Sequence, residues 1–183
     1  IINEYKIESR GSIYFSLQNS PAKLNTLRTL AIEREKTPTI EYKKINQTKY
    51  RVIVHNAIDD FPLIFSESFH NGWKLYQTAM TDPKKITNKD YTSQIIQGTI
   101  QNDNLSNGSL FETILKPAQP EDYHLMANSY ANSWVIKPQE LCKKSDNCRK
   151  NPDQSYDLEL VIEYLPQKMT NIGYVISLIT VII

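Results

Sequence analysis

The stretch Lys49–His55, KYRVIVH, decides the class of this chain. Tyr50, Val52 and Val54 alternate with Arg51, Ile53 and His55, so one face is more apolar than the other, which is the period of a strand. Asn56 to Asp60 then supplies a polar turn. Phe61–Ser66, FPLIFS, is a second apolar run with Pro62 near its start, where a strand tolerates proline best. So short a connection predicts an antiparallel hairpin. Beyond it, Asn71-Gly72 is a strong turn signal because both residues tolerate φ > 0. KLYQT, from Lys74, returns to strand character.

Further out the same texture continues. Ser12–Leu17 (SIYFSL) and Thr39–Lys43 (TIEYK) read as strands, and Ala22–Glu35 between them as a short helix or an extra strand. Met80–Ser109 is a long polar excursion, a loop with a short helix or strand inside it. Leu125–Ile136 (LMANSYANSWVI) begins and ends as strand. In Tyr156–Tyr164 (YDLELVIEY), Leu158, Leu160 and Ile162 oppose Asp157, Glu159, Val161 and Glu163. Many short strands with little helix predict an all-β chain, a jelly-roll-like β-sandwich with one short helix. Residues 1–38 form an N-terminal strand and helix region of that sandwich, 39–167 its core, and 168–183 the beginning of a transmembrane helix. No internal repeat is visible.

Composition agrees. Lys plus Arg number 21 against 20 for Asp plus Glu, so there is no basic footprint for nucleic acid. The wealth of Tyr, Thr and Ile suits strands, and that of Asn and Ser suits turns. At 183 residues the chain suits one domain. The two cysteines, Cys142 and Cys148, lie close together in a polar loop, and the reading preferred is a small disulfide in an oxidising compartment; the alternative is two free thiols. Asn46-Gln47-Thr48, Asn104-Leu105-Ser106 and Asn107-Gly108-Ser109 match the glycosylation pattern.

The run Asn171–Ile183, NIGYVISLITVII, is uncharged and shorter than the roughly 20 residues a span requires. It reads as the opening of a transmembrane helix of a longer polypeptide, with Lys168 as a basic interfacial anchor. The expected location is the extracytoplasmic face of a cell membrane, with the lipid bilayer and the protein's own membrane portion as partners.

Three stretches carry a resemblance. They are Ser66-Glu67-Ser68-Phe69-His70-Asn71-Gly72-Trp73, the series His124, Asn128, Tyr130, Ala131, Asn132, Trp134, and Ile162-Glu163-Tyr164 followed by Pro166-Gln167. Together they resemble the C-terminal extracytoplasmic β-sandwich domain of large bacterial multi-spanning membrane proteins akin to GT-C-type glycosyltransferases, the arabinofuranosyltransferase-like group and the YfhO-like family among them. The resemblance covers about the last two-thirds of the chain. It implies a non-catalytic accessory domain that binds or orients cell-envelope glycan, with glycosyl transfer located in the membrane portion.

On that reading Trp134, Tyr130, Asn128, Asn132 and His124 are the first candidate glycan contacts, and Trp73 and His70 the second. Exposed aromatics would stack on sugar rings while amides and imidazoles meet hydroxyls; equally, each Trp could pack in the core with its N–H satisfied. Asn128, Tyr130 and Asn132 would share one face of a strand, a row that suits polyhydroxylated ligands or, equally, tying a buried turn to neighbouring backbone. His70, His124 and Glu67 could form an acid–base or metal cluster, or pin loops. No zinc spacing such as HExxH and no phosphate-binding glycine loop occurs, so no catalytic residue, metal or cofactor is assigned. A purely structural domain, packing on a membrane portion or partner, is the alternative. A hydrolase would need two carboxylates a fixed distance apart among Glu67, Glu121, Asp122, Glu140, Glu159 and Glu163.

Overall fold

A computed structural model describes residues 3–7, 11–15, 38–80, 99–109, 111–143 and 147–182. Among these the chain is mostly strand: β1 (Asn3–Ile7), β2 (Gly11–Phe15), β3 (Thr39–Asn46), β4 (Lys49–Ala57), β5 (Phe61–Ser68), β6 (Trp73–Thr78), β7 (Thr99–Gln101), β8 (His124–Ala127), β9 (Ala131–Ile136), β10 (Cys148–Lys150) and β11 (Tyr156–Tyr164). Two α-helices, α1 (Pro138–Lys143) and α2 (Leu165–Ile182), complete it.

The strands form two sheets. One runs β1-β2-β8-β9-β5; the other runs β10-β11-β4-β3-β7, with β6 beside β11 beyond the end of β10. Pairing is antiparallel except between β3 and β7. One core unites the sheets. Phe61, Leu63, Trp134 and Ile136 from the first meet Tyr50, Val52, Val54, Trp73, Leu75, Leu158, Leu160 and Ile162 from the second. The period-2 pattern of β4 and β11 sends these side chains inward, and full burial of each large one stabilises by about 1.5–3 kcal/mol. The arrangement is β-sandwich-like.

The expected hairpin of β4 and β5 does not form: the two strands lie in different sheets. Each has an apolar face, and the connection across residues 58–60 lets those faces meet through the core rather than lie side by side. The Asn71-Gly72 turn does form, closed by the Trp73 N–H on the His70 carbonyl at 3.0 Å, yet neither residue takes a positive φ. Glycine is required there by close approach: a Cβ on Gly72 would stand 2.8 Å from His70 Nδ1 and from Tyr164 Cε2. Cys142 and Cys148 are bonded, closing the end of α1 onto β10. The helix or strand expected at Ala22–Glu35 lies outside the described residues. The excursion after Met80 includes the short strand β7.

The C-terminal helix starts at Leu165, earlier than expected, because the Leu165 N–H reaches the Gly72 carbonyl and ties the first turn to the sandwich. No helix among the described residues is long and apolar enough to cross a membrane. Lys168 is not an outward anchor. It is buried, 2.9 Å from Thr113 Oγ1 and 3.5 Å from a Glu163 carboxylate oxygen, because the first turn of α2 lies against the sheet and only an ion pair can hold an ammonium there.

Gly72→Ala forces Tyr164 and His70 apart. It is expected to destabilise by about 1–3 kcal/mol, as overpacking does. Chemical denaturation of the two proteins checks this, and an unchanged midpoint would count against the close approach.

Candidate functional site

Two polar assemblies stand out, one at an end of the sandwich and one on the outer face of its larger sheet. The first centres on Asn132, fully buried on β9. Its Nδ2 donates to the Glu67 and Ser68 carbonyls at 2.8 and 3.1 Å, filling the irregularity in β5 between Phe65 and Ser68. Its Oδ1 accepts the His70 backbone N–H at 3.2 Å and lies 3.0 Å from His124 Nε2. Both donors and both lone pairs of the amide are thereby used. The His124 ring stacks on Trp134 with centroids 4.7 Å apart and planes 5° from parallel. Trp134 is 1% exposed.

The sequence-predicted residues therefore converge, but inward. Trp73 is also buried, edge-on to Tyr50 and Phe65. Asn128 does not share a strand face with Tyr130 and Asn132. Asn128 and Ser129 both take left-handed φ, 52° and 62°, in the β8–β9 turn closed by the Tyr130 N–H on the Ala127 carbonyl. Two successive positive φ values make the hairpin turn that matches strand twist. Tyr130 is 51% exposed, and His70 is exposed with its Nδ1 accepting the Gly72 N–H. The Glu67 carboxylate accepts the Tyr50 hydroxyl at 3.0 Å, so Glu67, His70 and His124 meet through Asn132 and the backbone rather than around a common centre. No metal-holding group of His, Cys, Asp and Glu occurs among the described residues.

The second assembly was not anticipated. On the outer face of the larger sheet, Lys49 and Arg51 of β4 lie beside Glu159 and Glu163 of β11, all buried. Residues 102–109 and 111–118 cover them. Asn102 bonds to Glu41, Lys43 Nζ to the Leu105 carbonyl, and Lys49 Nζ to the Ser109 carbonyl. Glu112 pairs with Lys49 and Arg51, each at 2.6 Å. Arg51 also pairs with Glu159, and Thr113 donates to Glu163. Burial pushes the Glu112 pKa up, but the bonds from Lys49 and Arg51 outweigh it and leave the group below the ordinary carboxylate range. The signal in the sequence was Ile53 and Val161, apolar residues on the face otherwise marked by charge.

At the far end of the same face His55 lies between Asp157 and Glu41, 3.7 and 3.6 Å away, as ion pairs rather than hydrogen bonds. Asp157, then Glu41, raise its pKa to about 9 against partial burial. Burial works against the charge of Asp157, but His55, the Asn56 N–H and the Asn151 amide hold its pKa at about 2. Every buried charge on this face has an opposite charge beside it, so the arrangement neutralises and fastens. No protein-family model, no curated protein and no solved structure matches this chain.

Removing Arg51 takes the guanidinium from buried Glu159 and leaves Glu112 with Lys49 as its remaining cation. Arg51→Ala is expected to cost about 3–5 kcal/mol in urea unfolding; a loss under about 1 kcal/mol would show the pairs to be dispensable. The His55 clamp makes stability depend on pH. A raised histidine pKa means its contribution is complete below 6.5 and fades as pH climbs through 9. The depressed Asp157 contributes above 3.8 and loses that as pH falls toward 2. The contribution of this pair should thus be flat between pH 3.8 and 6.5 and drop by about 1–2 kcal/mol from pH 6.5 to 9, allowing for solvent screening. His55→Gln should abolish that alkaline slope, and a slope that survives the substitution would assign it elsewhere.

Proposed function

We propose that this chain is a non-catalytic structural domain held at the extracytoplasmic surface of a membrane, with α2 entering the bilayer. The observation behind the proposal is the outer part of α2. Met169, Tyr174, Ile176, Leu178 and Ile179 are all exposed on a helix whose base is clamped to the sandwich. A helix apolar all round belongs in a core or in lipid. From Lys168 to Ile182 it rises about 21 Å, well into a hydrocarbon layer of ~30 Å. The Cys142–Cys148 bond supports an oxidising, extracytoplasmic compartment.

The inward motifs favour a structural role over a glycan-binding one. Buried Trp73, Trp134, Asn132 and His124 offer no sugar-stacking face, so a glycan reading contracts to Tyr130, His70 and Asn128 at the turns. The likeness to the end domain of GT-C-type membrane proteins agrees with either role. A jelly-roll-like path draws support from successive strands β4, β5 and β6 alternating between the sheets.

Vesicle flotation tests the proposal. The full chain should float with phosphatidylcholine–phosphatidylglycerol vesicles. The double variant Ile176→Lys, Ile179→Lys should lose flotation more than tenfold, since each lysine costs about 2.5–3.5 kcal/mol at the centre of a membrane helix. A parent chain that stays with the aqueous fraction, or a variant that floats equally, would refute the membrane reading.

A further inference from the structure

We infer that the loop 111–116 is a second membrane contact, dipping into the lipid interface beside α2. The inference rests on α2 entering a bilayer and adds to it a surface that the helix alone does not require.

The loop is inverted relative to an ordinary surface turn. Glu112 and Thr113 point in and its apolar residues point out. Glu112 reaches Lys49 and Arg51, and Thr113 reaches Glu163 and Lys168. Phe111, Ile114 and Leu115 are 50%, 39% and 95% exposed. Scattered apolar residues on a surface mean little, but three on one short loop form a patch. The loop is also fixed: Ile114 N–H bonds to the Phe111 carbonyl and Lys116 N–H to that of Thr113, at 3.1 and 3.3 Å, as successive turns. Exposure of these side chains is therefore set by the buried anchors rather than by looseness.

Position identifies the occupant. The 2.9 Å bond from Lys168 Nζ to Thr113 Oγ1 places the loop at the first turn of α2. At this level α2 changes from Gln167, Lys168 and Asn171 to an uncharged apolar run. A bilayer that takes up the run has its polar–apolar boundary there, where apolar tips on a short loop bury against acyl chains and Lys116 can meet anionic headgroups. A lipid interface is thus continuous from α2 to the loop.

The two cysteines are joined, so a single cysteine added at Leu115, or separately at Ile176, can hold an environment-sensitive fluorophore on the full chain. Phosphatidylcholine–phosphatidylglycerol vesicles bearing acyl-chain quenchers are then added. Both labels should be quenched, the one at 115 more strongly by a shallow quencher than by a deep one. Quenching at 176 without quenching at 115 overturns the inference and leaves the reading of α2 intact. Quenching at neither site overturns both. A label at 115 that becomes shielded without lipid, in step with self-association seen by sedimentation, overturns the inference in favour of a contact between copies. As a second arm, Phe111→Ser with Leu115→Ser should weaken vesicle partitioning at least about fivefold, and partitioning like the parent's also overturns it.

Discussion

The structure depends on neutralising charge that its larger sheet buries on the outer side. Lys49, Arg51 and Lys168 face Glu112, Glu159 and Glu163, and Glu159 is wholly shielded from solvent. Taking such ions from water costs several kcal/mol each, and only close opposite charges and hydrogen bonds offset it. The contributors come from four separate parts of the chain. Lys49 and Arg51 come from β4, Glu159 and Glu163 from β11, Glu112 from the covering segment and Lys168 from α2. The network therefore specifies register: sliding β4 by one residue against β11 would drive its charges into the apolar core and its valines outward. It also fixes Glu112 and Thr113 over the sheet, since without them Arg51 and Glu163 would each lose a partner.

The end of the sandwich where α2 departs is organised by a different device. Asn132 spends its entire amide on the backbone of β5, the β5–β6 turn and the His124 ring. The β3–β4 connection joins this end through the Tyr164 N–H on the Thr48 carbonyl, and the β5–β6 turn through the Leu165 N–H on the Gly72 carbonyl. Every turn here is held by a directed bond or a close approach. This is why His124, Asn132 and Trp134, residues of a string that resembles a binding motif, are turned inward here.

Much of this was legible in the sequence. Strands β4, β5, β6 and β11 follow directly from alternation in KYRVIVH, FPLIFS, KLYQT and YDLELVIEY, and the disulfide from the nearness of Cys142 and Cys148. What alternation does not contain is the sheet to which each strand belongs. The connection from β4 to β5 is equally short whether the strands pair or face each other. Nor does it show whether a charged face meets water. Arg51, Glu159 and Glu163 mark the more polar faces of their strands, and only Ile53 and Val161 on those faces hint at a cover. Lys168 misled because a lysine before an apolar run suits an interface, and nothing in the local sequence announces Thr113 beside it. The candidate site was legible as a set of neighbours but not in orientation, because an amide that binds backbone and one that binds a hydroxyl have the same side chain.

These constraints meet at the junction of β11 and α2, where no linker intervenes: the strand ends at Tyr164 and the helix starts at Leu165. β11 has β4 on one flank and β6 and β10 on the other, making it the best-supported strand of the larger sheet. Lys168, one turn into the helix, is already part of the sheet's charge network. The sandwich is consequently joined to α2 as one body, and any surface that receives the helix also sets the orientation of the domain. A binding module that searches for ligands gains from a flexible tether, which sets its reach. A rigid junction gives that up and holds the end bearing Tyr130 and His70 in one orientation relative to α2. That trade favours a domain whose task is to be positioned.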